Sequence, residues 1–177
     1  MVKTVSRSFF LVVLAFVAFN VANPKLVSYA SANSVDIPVH IRDVAIGLDA
    51  SIVGVGLNEK GEMAVPSGES NNVGWYESGT VPGNYGSAVF DAHVFAAFSQ
   101  LQYAKAGDVI EVTMKSGSVL RFRVTESETY ALQDVPRMRL FSEAGGSFLH
   151  LITCAGELTA DKKTYDHRLV VYATLEK

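Results

Sequence analysis

From residue 35 onward the chain is a succession of short runs of β-branched and aromatic residues, cut at fairly regular intervals by Gly, Pro, Asn and Asp. That punctuation leaves little room for long helices and commits the chain to many short strands, hence to an all-β fold. The clearest unit is a hairpin. Ile110, Val112 and Met114 face one way in residues 109 to 114, while in residues 119 to 125 Leu120, Phe122 and Val124 alternate with Arg121 and Arg123. Lys115-Ser116-Gly117-Ser118 supplies the turn.

The remaining segments follow from the same periodicities. Ile37, Val39 and Ile41 alternate with Pro38, His40 and Arg42, which predicts a strand with one buried face. Residues 45 to 57 carry one or two more strands, broken near Asp49-Ala50, and Asn58-Glu59-Lys60-Gly61 makes a polar turn before the short edge piece Met63-Ala64-Val65-Pro66. Residues 67 to 85, rich in Gly, Ser, Asn and Pro, read as a long ordered loop around Trp75, the only tryptophan, which either anchors the loop in the core or contacts a ligand. Residues 87 to 90 form a strand. Phe95, Phe98 and Leu101 then recur at helical spacing, predicting a short helix with an aromatic core stripe that Gly107-Asp108 stops. Residues 126 to 146 are less regular and predict a mobile surface segment with one helical turn. Residues 148 to 153 form a strand, 157 to 166 a polar loop and 167 to 175 a last strand.

At 177 residues, 49% of them hydrophobic, the chain suffices for one core and a single domain. Lys3 and Arg7 precede the apolar run of residues 9 to 19, and Ala30-Ser31-Ala32 places small residues at alternate positions. Residues 1 to 32 therefore read as a secretory signal peptide or an N-terminal membrane anchor, ahead of a domain at 33 to 177. Without Lys3, Arg7 and Lys25 that domain holds 12 basic against 18 acidic side chains, a net charge of −6. An acidic domain lacks the basic surface that phosphate neutralisation requires, so nucleic-acid binding is not expected. With one cysteine there is neither a disulfide framework nor a cysteine-rich metal site, and no cofactor or metal is expected.

That cysteine, Cys154, follows an apolar run and precedes Ala155-Gly156, where a strand should end. An unpaired cysteine in an exported chain is either a reactive thiol or a small buried hydrophobe. A thiol attacks as thiolate and needs a base or a positive charge nearby. Of the four histidines, His150 lies four residues before Cys154 on one strand, about 13 Å away at 3.3 Å per residue, too far for a hydrogen bond. His40 shares a solvent face with Arg42, and His167 merely begins a strand beside a loop. His93 remains, just past an apolar strand where two strand ends can meet. Arg168 lies on a face with Val170 and Tyr172. It is either a snorkelling side chain at a rim or a fixed guanidinium able to stabilise an oxyanion.

Together these segments resemble the sortases, exported cysteine transpeptidases of bacterial surfaces, with the likeness nearest to class F and class E. Leu151-Ile152-Thr153-Cys154 is similar to the strand that ends in the family's nucleophile, and Arg168-Leu169-Val170-Val171-Tyr172-Ala173 to the strand that begins with its arginine. Ser87-Ala88-Val89-Phe90-Asp91-Ala92-His93-Val94 is similar to the segment carrying its histidine, and Val73-Gly74-Trp75-Tyr76 to the preceding loop. The likeness spans residues 35 to 175. It departs at His150, where the family usually has Thr, and at Ala92, where it usually has Gly.

The resemblance implies an all-β fold, a closed eight-stranded β-barrel with one or two short helices and long loops. It implies Cys154 as nucleophile, His93 as general acid and base, and Arg168 as holder of substrate or oxyanion, with substrate contacts at Thr153, Ala92 and Trp75. The implied partners are a sorting peptide similar to Leu-Pro-X-Thr-Gly and an amine acceptor, at the extracellular face. Two alternatives stand beside it: a cysteine protease that resolves the same acyl-enzyme with water, and a non-catalytic binding module on the same fold. The intact Cys-His-Arg set speaks against the last.

Overall fold

The computed structural model describes residues 35 to 177 apart from 69 and 143, so the signal or anchor segment lies outside the described residues. Eight strands close a barrel: β1 (Pro38–Asp43), β2 (Leu48–Val55), β3 (Val73–Tyr76), β4 (Gly86–Asp91), β5 (Val109–Met114), β6 (Val119–Ala131), β7 (Ser147–Leu158) and β8 (Tyr165–Leu175). Their order around the barrel is β1-β2-β3-β4-β7-β8-β6-β5, with β5 returning to β1. Two pairs are parallel, β2 with β3 and β4 with β7, and the rest antiparallel.

Strand alternation gives the barrel two faces. The inner face carries the main core, including Ile41, Ile52, Phe90, Val112, Phe122 and Leu151. A smaller outer cluster, Val89, Leu140, Val170 and Tyr172 with Ile152 and Tyr76 against it, is covered by the short helix α1 (Arg137–Ser142). Arg139 of α1 chelates Glu126 through both carboxylate oxygens, at 3.1 and 2.6 Å, and stacks its guanidinium 3.6 Å from the Tyr172 ring centroid. That cation–π contact and charge-assisted fork hold the helix on the sheet.

The predicted hairpin forms, with Ile110 opposite Phe122 and Val112 opposite Leu120. Several other expectations are corrected. In β1 the pairing with β5 shifts between Pro38 and His40, so Pro38 turns inward and Ile37 and Val39 become exposed; a bulge inverts the alternation on its N-terminal side. The break expected near Asp49-Ala50 does not occur. Ladders with β1 and β3 carry β2 through it, with Asp49 outward beside His40 and Arg42.

The edge piece at residues 63 to 66 is reduced to a single bridge, Leu57 with Met63. The loop at residues 67 to 85 contains β3. The helix expected from Phe95 is a chain of tight turns ending in a 3-10 turn at Leu101–Tyr103. Phe98 and Leu101 reach the core, but Phe95 is 65% exposed, because its ring lies on His93 instead.

Residues 126 to 131, expected to be mobile, extend β6 along β8, past a bulge at which the Thr125 hydroxyl donates to the Tyr172 carbonyl. The strand holding Cys154 runs on to Leu158, past a third bulge between Ala155 and Leu158. The last strand begins at Tyr165 rather than His167.

Candidate active site

β7 is the strand on which the candidate residues converge. Leu149, Leu151 and Thr153 point into the barrel, so His150, Ile152 and Cys154 take the outer face. The parallel pairing of β7 with β4 stops at Asp91 opposite Ile152, whereas its pairing with β8 continues and sets Cys154 directly opposite Arg168. Cys154 is therefore flanked by a strand on one side and an opening on the other, which leaves its thiol half-buried.

Burial pushes the Cys154 thiol above its ordinary value; Arg168 opposes the shift and Asp91 adds to it. The resting group is a thiol. Arg168, across from it, is held in place. Its Nη1 donates to the carbonyls of Tyr165 (3.1 Å) and His167 (2.8 Å), and its Nη2 to the Thr164 hydroxyl (3.0 Å). These contacts lie along the start of β8, so the fork is fixed by its own strand.

His93 follows the end of β4. The Thr153 hydroxyl donates to the Ala92 carbonyl at 2.6 Å and so clamps the histidine segment to the residue beside the cysteine. The ring nitrogen Nε2 of His93 lies 3.0 Å from the Pro66 carbonyl, an acceptor only, so Nε2–H donates and carries a proton. The ring stacks on Phe95 at 4.8 Å between centroids. Among the described residues His93 makes no hydrogen bond to Cys154. Catalytic contacts of this kind commonly tighten only when substrate is bound.

The other three histidines have partners away from Cys154. His150 is buried beneath α1 and donates from Nδ1 to the Leu140 carbonyl at 2.8 Å, His40 pairs with Asp49, and His167 with Asp166.

The three expected substrate contacts need correction. Trp75 is 4% exposed and its indole N–H donates to the Thr80 carbonyl at 3.2 Å, so it anchors the loop in the core. Thr153 and Ala92 are buried as well. They position the site through their mutual hydrogen bond, and their side chains are not available to a peptide at the surface.

One residue escaped the sequence reading. Asp91 closes β4 on the outer face, and burial lifts its carboxyl from 3.8 to about 7 despite the lowering pull of Arg168. An acid at the end of an apolar strand, two residues before the histidine, was the available signal. Among the described residues no group of three or more His, Cys, Asp or Glu side chains is placed to hold a metal ion.

Comparison with known proteins bears on this arrangement. A family model described as the Sortase domain matches residues 41–176. No curated protein matches the chain. Sortase C1 of Streptococcus agalactiae, solved in complex with MTSET, is 20% identical, with a TM-score of 0.60 over 78% of this chain and 67% of that one. A sortase D5 transpeptidase of Clostridium perfringens is 19% identical, with a TM-score of 0.61 over 79% of each chain. Sortase C from Clostridium perfringens SM101 is 18% identical, with a TM-score of 0.58 over 79% and 70%. At such identities the likeness is one of fold, and neighbours named as sortases C and D lend nothing to a class F or class E assignment. What carries the classification is a family match covering the barrel from its first strand to its last: this chain belongs to the sortase family.

Proposed function

We propose that this chain is an exported cysteine transpeptidase that cleaves a sorting peptide similar to Leu-Pro-X-Thr-Gly and transfers the acyl part to an amine. The observation that carries the reading is the cross-strand pair Cys154 and Arg168, fixed by the β7–β8 register at the open side of β7. Cys154 Sγ attacks the scissile carbonyl. Negative charge develops on the carbonyl oxygen, where the fixed guanidinium of Arg168 stabilises it. As Sγ attacks, the free Nδ1 of His93 takes the thiol proton, and the resulting imidazolium delivers a proton to the leaving amine, giving a thioester on Cys154 and a freed peptide fragment. A second amine then attacks the thioester, His93 takes up its proton and passes one to the departing sulfur, the new amide forms and the thiol returns. The acidic surface favours a cationic acceptor.

Intact mass spectrometry after incubation with Leu-Pro-X-Thr-Gly-like peptides, with and without glycine-type and lysine-type amines, tests this. A thioester adduct on Cys154 and a new amide that depends on added amine are expected, and Cys154→Ala should give neither. Hydrolysis products alone across the amine panel would make the protein a protease. No adduct with any peptide would leave the fold a binding module.

A further inference from the structure

Asp91, Ile152 and Val170 form one row across β4, β7 and β8, and Cys154 and Arg168 form the next outward-facing row. β4 ends at Asp91 and adds nothing to that second row. The Asp91 carboxylate therefore lies diagonal to the cysteine–arginine pair, at the corner where the outer face opens, and it couples electrostatically to both. Among the described residues no donor holds it within hydrogen-bond distance.

Of the cations around it, Arg168 is the one that acts on its carboxyl; α1, which also packs on β4, carries Arg137 and Arg139, and Arg139 is held by Glu126. β3 presents Gly74 abreast of it, with Tyr76 next on that face; β7 presents Cys154 and β8 presents Arg168. Beyond Arg168, β6 contributes Tyr130 and then Glu128 beside Val170. His93, two residues further along the chain, is engaged by the Pro66 carbonyl.

We propose that Asp91 is a positioning residue of the Cys154 centre: its carboxylate competes with the Cys154 thiolate for the single guanidinium of Arg168. While Asp91 is ionised, its charge offsets the field of the fixed Arg168 guanidinium at the sulfur and the thiol stays protonated. When Asp91 is neutral, Arg168 serves the sulfur and the oxyanion alone. Because burial lifts the carboxyl to about 7, this handover falls in the neutral range. The inference rests on Cys154 being the nucleophile, but its test is read on the thiol without turnover, so failure of the peptides to react would not be mistaken for its failure.

The experiment is the pH dependence of Cys154 alkylation by iodoacetamide in the full chain, whose single cysteine makes the mass shift unambiguous. Asp91→Asn should alkylate about fivefold faster near pH 8, the effect of removing one charge a diagonal step away. Its profile should follow one ionisation, while the wild type is broadened around neutrality by coupling. Arg168→Gln should slow alkylation and shrink the gain from Asp91→Asn, because the contested group is gone. Superimposable profiles for wild type and Asp91→Asn would overturn the proposal, as would an undiminished gain in the Arg168→Gln background. Near-ultraviolet circular dichroism checks the fold, and Asp91→Ser takes the place of Asp91→Asn should that variant fail to fold.

Discussion

Replacing Asp91 with asparagine should stabilise the protein above neutral pH and change little in acid. The carboxyl titrates near 3.8 in an unfolded chain and at about 7 in the folded one. Between those values the folded state holds a proton that the unfolded state has released, so stability falls as pH rises through the window. The cost is absent below the lower value and complete above the upper one. At 1.36 kcal/mol per unit, a shift of about three units corresponds to a cost on the order of 4 kcal/mol near pH 8. Asparagine keeps the shape and carries no charge to desolvate.

Urea unfolding, followed by the fluorescence of the buried Trp75, should therefore show a variant-minus-wild-type gap that is small at about pH 4 and grows to several kcal/mol at about pH 8. Taking the difference removes the other shifted carboxyls, Asp43, Glu126, Asp161, Asp166 and Glu176, which titrate in both proteins. A gap that does not change with pH would show that Asp91 ionises like a solvated acid. A wild type more stable than the variant at high pH would show that attraction to Arg168 outweighs burial.

Three further outcomes follow from the geometry. Thr153→Val strips the Ala92 carbonyl of its 2.6 Å donor and should cost about 1 to 3 kcal/mol in urea unfolding. It should also lower kcat more than it raises KM, because it loosens the histidine segment. Arg168→Lys should turn over no faster than Arg168→Ala in a peptide-cleavage assay, since one ammonium cannot reproduce a fork that spans Thr164, Tyr165 and His167. His150→Ala should lose roughly 2 to 4 kcal/mol of stability yet retain turnover per folded molecule, whereas His93→Ala should retain stability and lose turnover.

What could be read from the chain divides along the range of the interactions involved. The β5–β6 hairpin was legible because its alternation, its turn and its partner all lie within residues 109 to 125. β3 was not, since four residues within a Gly-, Ser- and Asn-rich stretch become a strand only through parallel pairing with β2. The polar run from Glu126 to Thr129 looked unlike a strand, and the ladder with β8 overrides its composition. Val39 was assigned to the wrong face because a bulge in the β1–β5 ladder leaves no local mark.

The same division holds at the site. The family likeness singled out Cys154 and Arg168 one by one, and their alignment comes from the β7–β8 register. The burial of Trp75 depended on which face of β3 its neighbours Gly74 and Tyr76 would take. Asp91 looked like an ordinary strand terminus until the row of Ile152 and Val170 placed it beside the thiol.

The clamp between Thr153 and Ala92 joins positions 61 residues apart, and the parallel β4–β7 ladder it extends closes a connection that contains all of β5 and β6. Contacts of such separation carry a loop-closure penalty that local hairpins avoid, so they are made late in folding. The candidate site thus has a built-in order of appearance. A chain that has collapsed only as far as its hairpins already sets Arg168 across from Cys154, because β7 and β8 are consecutive antiparallel strands, but it has no histidine segment against them, and the third member arrives only with the β4–β7 ladder.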